Sequence, residues 1–277
     1  IRSSNNLITY NLHRLYRLRK AVKQAKCDVL LSFLTDSNIL TIIASFWLGI
    51  STIVSERIHP GFHKIPWPHR ILRRIAYPLS DAVVVQTNEI AEWMDVNMGL
   101  VCNVIPNPIC KGEIEKKSSE YIHRTFERNL LAAGRLTPQK GFDSLLKAFS
   151  QVAHRFPDWG LTIFGEGPQY DFLQKLSKDL GIDQQVLLPG VIQDLPAALC
   201  TGDLFVHSAR YEGFPNVLLE ALSVGLPCIA VNSPGGLKDI IGENVHGLLV
   251  PPGNDTGLAE SLAEMMNDDL LRSYYAR

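Results

Sequence analysis

Apolar and polar positions alternate along this chain with two periods, one helical and one extended. Helical spacing runs over residues 7–25, and the mostly apolar segment at 27–33, CDVLLSF, reads as a buried strand. A helix over 37–49, a strand at 51–55, a helix over 68–79, a strand at 82–86, a helix over 88–98 and a short strand at 101–105 follow. Apolar strands alternating with helices predict βαβ units and a parallel sheet covered on both faces.

Pro106, Asn107 and Pro108 interrupt the pattern, and residues 111–128 are polar and charged with little period. Domain boundaries fall in such stretches. The expected division is a first domain over 1–107, a linker over 108–128 and a second domain over 129–277. The second domain repeats the alternation, with strands at 129–133, 160–164, 186–188, 203–207, 227–231 and 247–250. Its helices are expected at 142–153, 169–180, 195–200, 216–224 and 256–266. Two parallel sheets in tandem predict a cleft between them, and open sheets bind ligands at the carboxyl ends of their strands.

Composition narrows the class. Hydrophobic residues make up 46% and charged residues 20%, which excludes a disordered chain. The longest apolar stretch, 39–50, is interrupted by Thr41 and Ser45 and falls short of the ~20 residues that span a bilayer. Cysteines at 27, 102, 110, 200 and 228 form no C-x-x-C pair, which points to buried thiols in a reducing, cytoplasmic setting. The chain opens on Ile1 in a predicted helix with no strand before it, so part of the first domain is expected to be missing from its start.

Charge is uneven. Residues 1–107 carry 12 Lys and Arg against 7 Asp and Glu, and residues 108–277 carry 15 against 21. The basic half clusters Arg14, Arg17, Arg19, Lys20, Lys23 and Lys26 on one predicted helix, and Arg70, Arg73 and Arg74 on another. Two readings stay open: a solvated helix face, or contact with an anionic membrane surface, where each basic residue contributes about 1 kcal/mol. Nucleic acid is not an expected partner, because the net charge is −1 and no nucleic-acid motif is present.

Three segments carry candidate chemistry. The first, Gly134-Arg135-Leu136-Thr137-Pro138-Gln139-Lys140-Gly141, lies between a strand and a helix. Arg grips phosphate oxygens in pairs and Lys adds a point charge, although two exposed loop cations remain an alternative. The second, Tyr211 to Glu220, puts Pro215 at a helix start, where the N–H groups of Asn216, Val217 and Leu218 form an anion site. Glu212 and Glu220 flank it and suit sugar and ribose hydroxyls; acidic residues in the first helical turns are also common for the helix's own sake. The third, Gly165-Glu166-Gly167-Pro168, places Tyr170 where a dinucleotide fingerprint needs its third glycine, and is taken as a tight turn.

These segments occur together in a recognisable order. G-R-L-x-x-x-K-G, G-E-G-P, L-P-G, Glu212-x7-Glu220 and G-L-L-V-P-P-G-N, preceded by Val104-Ile105-Pro106-Asn107, resemble glycosyltransferase family 4, retaining enzymes with the GT-B fold. The resemblance implies an α/β protein of two Rossmann-like parallel-sheet domains facing across a cleft, the first incomplete and the second lacking the family's closing C-terminal helix. Arg135 and Lys140 would hold the donor pyrophosphate. Glu220 would bind ribose, and Glu212 with the backbone of Gly213 and Phe214 would hold the donor sugar. Asn216 and Val217 would offer N–H groups to phosphate, and the backbone near Val191 and Ile192 would meet the base. No metal or other cofactor is implied, and no D-x-D is present. Reaction on the front face, assisted by the leaving phosphate, is expected; Glu212 as a covalent nucleophile is a minority option.

On the acceptor side, Ser55-Glu56-Arg57-Ile58-His59-Pro60 looks like the S-E-R-x-x-P of a subgroup that transfers N-acetylhexosamines to lipid-linked acceptors. Glu56 or His59 would orient the acceptor hydroxyl in the cleft, unless the segment is a plain surface loop. The expected function is a metal-independent transferase moving a sugar from a UDP-sugar to a lipid-linked or polysaccharide-precursor acceptor, at the inner face of the plasma membrane. A non-catalytic nucleotide-sugar-binding subunit and a GT-B phosphorylase or epimerase are the competing readings.

Overall fold

The computed structural model describes residues 4–63, 65–109, 124, 126–242 and 245–276. Cys110 and almost all of the predicted linker lie outside these residues. The chain divides into two compact units, Ile1–Pro106 and Asn107–Arg277.

The first unit runs α1 (Ser4–Ala25), β1 (Val29–Phe33), α2 (Thr35–Ser45), β2 (Ser51–Ser55), α3 (Trp67–Ala76), β3 (Ala82–Val85), α4 (Asn88–Met98) and β4 (Asn103–Val104). Its four strands pair in sequence order, all parallel. Ile39, Ile42, Val54, Tyr77, Val85 and Met94 form the core. The predicted helix over 37–49 stops at Ser45, because Phe46 adopts φ −52°, ψ 127° and leaves the helical region. The Thr87 hydroxyl caps α4 by accepting from the Ile90 N–H, and Gly99 ends it in the left-handed conformation. Among the described residues no helix is long and apolar enough to cross a membrane.

The second unit runs β5 (Arg128–Ala133), α5 (Phe142–Val152), β6 (Trp159–Phe164), α6 (Tyr170–Asp179), β7 (Val186–Gly190), α7 (Leu195–Leu199) and β8 (Leu204–His207). It continues through α8 (Asn216–Ser223), β9 (Cys228–Val231), α9 (Leu237–Ile241), β10 (Leu248–Val250), α10 (Asp255–Asn267) and α11 (Asp269–Tyr275). The six strands are parallel, in the order β10-β9-β8-β5-β6-β7. The central strands divide their apolar residues between two helical layers. Leu130 and Ala132 of β5 enter the core under α5 and α10, and Leu131 and Ala133 enter the core under α7 and α8.

Two helices are absent from the periodicity reading. α9 has 5 residues and α11 has 7, both too short to display a repeat. Asp268 caps α11 by accepting from the Leu270 and Leu271 N–H groups. Arg272 folds over the Trp159 ring at 5.1 Å and donates to the Met265 and Met266 carbonyls, which fixes α11 to the core.

Candidate functional site

Strand order in the second unit reverses between β5 and β8. The loops after those two strands lie against each other at this point, and each bears charged residues that the sequence singled out. The loop after β5 carries Gly134 and Arg135, then a 3-10 turn, Pro138–Lys140, then Gly141. Gly141 has φ +66°, and a Cβ there would lie 2.1 Å from the Ser208 carbonyl oxygen, so only glycine lets the two loops touch. A Cβ on Gly134 would meet the Lys140 side chain at 3.1 Å, so the missing side chain is the lysine's path.

The two loops are joined by hydrogen bonds. The Arg210 N–H donates to the Gln139 carbonyl at 2.8 Å, and its guanidinium pairs with both Asp143 oxygens at 2.8 Å. The Ser208 hydroxyl donates to the Lys140 carbonyl at 2.9 Å, and Gln139 Nε2 to the Tyr211 carbonyl at 3.0 Å. Arg210 holds the Asp143 carboxyl below the usual range against the opposing effect of burial, so the pair stays ionic.

Lys140 Nζ donates to Glu212 Oε1 at 2.5 Å. Glu212 is buried, and its backbone N–H is held by the Pro234 carbonyl at 2.9 Å. Burial raises its pKa, while the charges of Lys140 and Arg135 pull it back down. Arg135 is exposed at the pocket mouth. A third nitrogen is near: His207 Nε2 lies 3.6 Å from the same Glu212 oxygen. Burial, with Lys140 adding to it, drops the His207 pKa to about 3, so the ring is neutral. Nothing in the sequence sets His207 apart from any histidine that ends a buried strand.

A pocket of about 260 Å³ adjoins this cluster, lined by Ala133, Gly134, Arg135, Phe164, Gly165, Glu166, Val191, Ile192, Leu195 and Val217. Val191 and Ile192, near which the base is expected, both line this pocket. Gly213 is buried and Phe214 half-buried. Glu220 is half-buried, and burial raises its pKa. The start of α8 differs from the expected anion site in one respect. The Asn216 N–H donates to the Phe214 carbonyl at 3.0 Å and the Leu218 N–H to the Pro215 carbonyl at 3.1 Å, so both serve the helix's own first turn. Val217 alone of the three keeps a backbone N–H that no described carbonyl accepts. The Asn216 side chain accepts instead from Asn107 Nδ2 at 2.7 Å.

The acceptor-side candidates of the first unit are not presented as expected. Glu56 is 1% exposed and accepts from the Tyr77 hydroxyl at 2.5 Å and from the Thr35 hydroxyl at 3.0 Å, with Arg73 Nη1 at 3.9 Å. Burial raises its pKa against those partners. His59 is also buried. Its Nδ1 accepts from the Gly61 N–H at 3.2 Å, its Nε2 faces Glu89 at 3.7 Å, and its ring packs on Phe62 and Trp93. Both residues brace the loop after β2: the Glu56 carboxylate is enclosed by its partners, whereas His59 Nε2 stands beyond hydrogen-bond length from Glu89. Their polar character placed them correctly at a strand end but could not reveal partners from α2, α4 and the turn at Tyr77.

Of the basic clusters, Arg19 donates to the Ala44 and Phe46 carbonyls and closes α2, and Arg73 is buried over the Trp93 ring. Arg14, Arg17, Lys20, Lys23, Lys26, Arg70 and Arg74 are exposed. On α3, Arg70 and Arg74 stand among exposed Trp67, Ile71, Leu72 and Ile75.

Residues 113–277, which contain Arg135, Lys140, Glu212 and Glu220, match the family described as glycosyl transferases group 1. The chain belongs to this family. It is 35% identical over 262 residues to an exopolysaccharide phosphotransferase of Streptomyces coelicolor, covering 93% of this chain and 27% of that protein. It is 30% identical over 269 residues to a Campylobacter jejuni α-1,4-N-acetyl-D-galactosaminyltransferase named for a diphospho-undecaprenol-linked substrate, covering 96% of this chain and 72% of that one. Among solved structures, S. aureus TarM, in complex with fondaparinux, α-GlcNAc-glycerol and UDP, matches with a TM-score of 0.82 at 18% identity. The match covers 95% of this chain and 54% of TarM. Anabaena HepE in complex with UDP matches with a TM-score of 0.79 at 19% identity, over 95% of this chain and 74% of that one. At these identities the likeness is one of fold, and the fold is GT-B, as the motif order implied.

Proposed function

We propose that this chain carries the donor site of a retaining glycosyltransferase that moves an N-acetylhexosamine from a UDP-sugar to a lipid-linked or polysaccharide-precursor acceptor. The observation that carries this reading is the pairing of the half-buried Lys140 with the buried Glu212 at the strand-order reversal, beside an apolar pocket walled by Val191 and Ile192. The base enters the pocket and the half-buried Glu220 holds the ribose hydroxyls. Lys140, Arg135 and the Val217 N–H meet the diphosphate, and Glu212 with the Gly213 and Phe214 backbone meets the sugar.

In this reaction the bond from the sugar's anomeric carbon to the diphosphate oxygen breaks, and a bond to the acceptor oxygen forms on the same face. The acceptor proton passes to the departing diphosphate. Negative charge grows on that diphosphate, and fixed cations aimed at it stabilise the transition state more than the ground state. Lys140 and Arg135 supply that charge, so no metal or other cofactor is required.

The acceptor class is supported by the name of the Campylobacter relative. Attachment to the inner face of the plasma membrane is supported by α3, where exposed Arg70 and Arg74 stand beside exposed Trp67 and Ile75. The test is incubation of the protein with a panel of UDP- and GDP-linked sugars and bacterial lipid extract. Release of UDP with labelling of a lipid supports the reading; release from GDP-sugars alone, or none at all, overturns it.

A further inference from the structure

His207 ends β8 in fixed register with Ala230 of β9, so its ring is held by the sheet. It is 3% exposed, and its Nε2 has no hydrogen-bond partner. An orphaned buried nitrogen is costly and calls for an explanation. Glu212 Oε1 lies 3.6 Å from it, beyond hydrogen-bond length. That same oxygen is taken by Lys140 Nζ at 2.5 Å. One carboxylate oxygen therefore faces two nitrogens, and only one of them holds it.

The donor reading explains the arrangement. A diphosphate carries more charge than Glu212 and competes for the Lys140 ammonium. Once Lys140 turns to it, Glu212 is left buried and without its donor, an unfavourable state for a carboxylate. A shift of about 0.6 Å brings His207 Nε2 within a normal hydrogen bond of the vacated oxygen. The ring is neutral beside Lys140, so it supplies an N–H without adding a second cation next to the first.

We propose that His207 is a positioning residue for Glu212: its Nε2–H takes the carboxylate oxygen that Lys140 releases to the donor diphosphate, and so keeps Glu212 aimed at the sugar. This rests on the reading of Lys140 as a diphosphate ligand. The charged groups around the exchange are Lys140, Arg135 and Glu212, and the neutral ring responds to which of them holds the oxygen.

The test is nitrogen–proton correlation spectroscopy of the His207 ring in this chain, with calorimetry for UDP. The expected ring is neutral with its proton on Nε2 from pH 5 to 8. Adding UDP moves that proton downfield as the hydrogen bond forms, and Lys140→Met shows the displaced signal without UDP. His207→Leu keeps UDP affinity within about twofold, whereas turnover of the UDP-sugar falls about tenfold, and His207→Gln, which restores an N–H at the same reach, recovers most of it. A proton on Nδ1, a signal indifferent both to UDP and to Lys140→Met, or equal turnover in the Leu and Gln variants would overturn the role of His207 while leaving UDP binding intact. A wild-type chain that binds no UDP would instead overturn the donor reading, and this inference with it.

Discussion

Lys140 and Glu212 are 72 residues apart in sequence and 2.5 Å apart in space, one on each loop at the point where the strand order reverses. Neither is free of the other: the ammonium opposes the rise in pKa that burial imposes on the carboxyl, and the carboxyl oxygen holds the half-buried ammonium in place. A diphosphate arriving here meets a cation already in place but already engaged.

Removing the cation makes stability depend on pH. Burial raises the Glu212 pKa above its ordinary value, and the charge of Lys140 is the largest effect opposing that rise. In Lys140→Ala the carboxyl rises further. A carboxyl with a raised folded pKa contributes stability that is present below its unfolded pKa and lost as pH climbs through the folded one. The variant should match wild type near pH 4 and fall behind it toward pH 8, by about 1.4 kcal/mol per unit of added shift. Urea unfolding across that range checks this; a deficit that does not change with pH contradicts it.

The two carboxylates of the E-x7-E segment should fail differently. Glu220→Ala loses a charged hydrogen bond to ribose and should weaken UDP about ten- to a hundredfold. Glu212→Ala frees Lys140 from its partner, so UDP affinity should hold or improve while UDP-sugar turnover drops. Calorimetry with UDP on both variants decides the matter, and equal losses would show the division of roles to be wrong.

In the first unit, Tyr77 is fully buried and donates to Glu56 at 2.5 Å. Tyr77→Phe should cost roughly 1.5–3 kcal/mol of stability, the range for a hydrogen bond to a charged partner. A variant that unfolds at the same urea concentration as wild type would mean that this network does not hold the loop after β2.

Exposed and inward-turned arginines should separate on lipid. Arg70→Gln and Arg74→Gln should each weaken binding to anionic vesicles by about 1 kcal/mol, and high salt should weaken it for all variants. Arg19→Gln, which loses the contacts closing α2, should leave vesicle affinity unchanged and lower stability. Salt-independent binding, or an equal effect at Arg19, would contradict a surface role for α3.

Much of this was legible in the chain itself. The residues at the switch point announce their chemistry locally: a loop of glycines and cations directly after a strand, and two glutamates flanking a helix start. Pairing was not legible. That Lys140 holds Glu212, that His207 faces the same oxygen, and that Arg19 and Arg73 turn inward are consequences of tertiary approach, and no local period encodes them. Glu56 shows the limit most clearly. A carboxylate at a strand end reads as pointing toward a ligand, yet Thr35 and Asn38 of α2 and Tyr77 of the turn after α3 converge on it and enclose it. The N–H groups of Asn216 and Leu218 were misjudged for a related reason, since the first turn of α8 closes on Phe214 and Pro215.

The proposed donor site, at the joined loops after β5 and β8, is to bind a nucleoside diphosphate through Lys140 without a metal. Calorimetric titration of the chain with UDP in the presence of EDTA measures it most directly. The account predicts binding at one site, unchanged by chelation and weakened about ten- to a hundredfold in Lys140→Ala. Binding that disappears in EDTA and returns with magnesium, or that is untouched by Lys140→Ala, would contradict it.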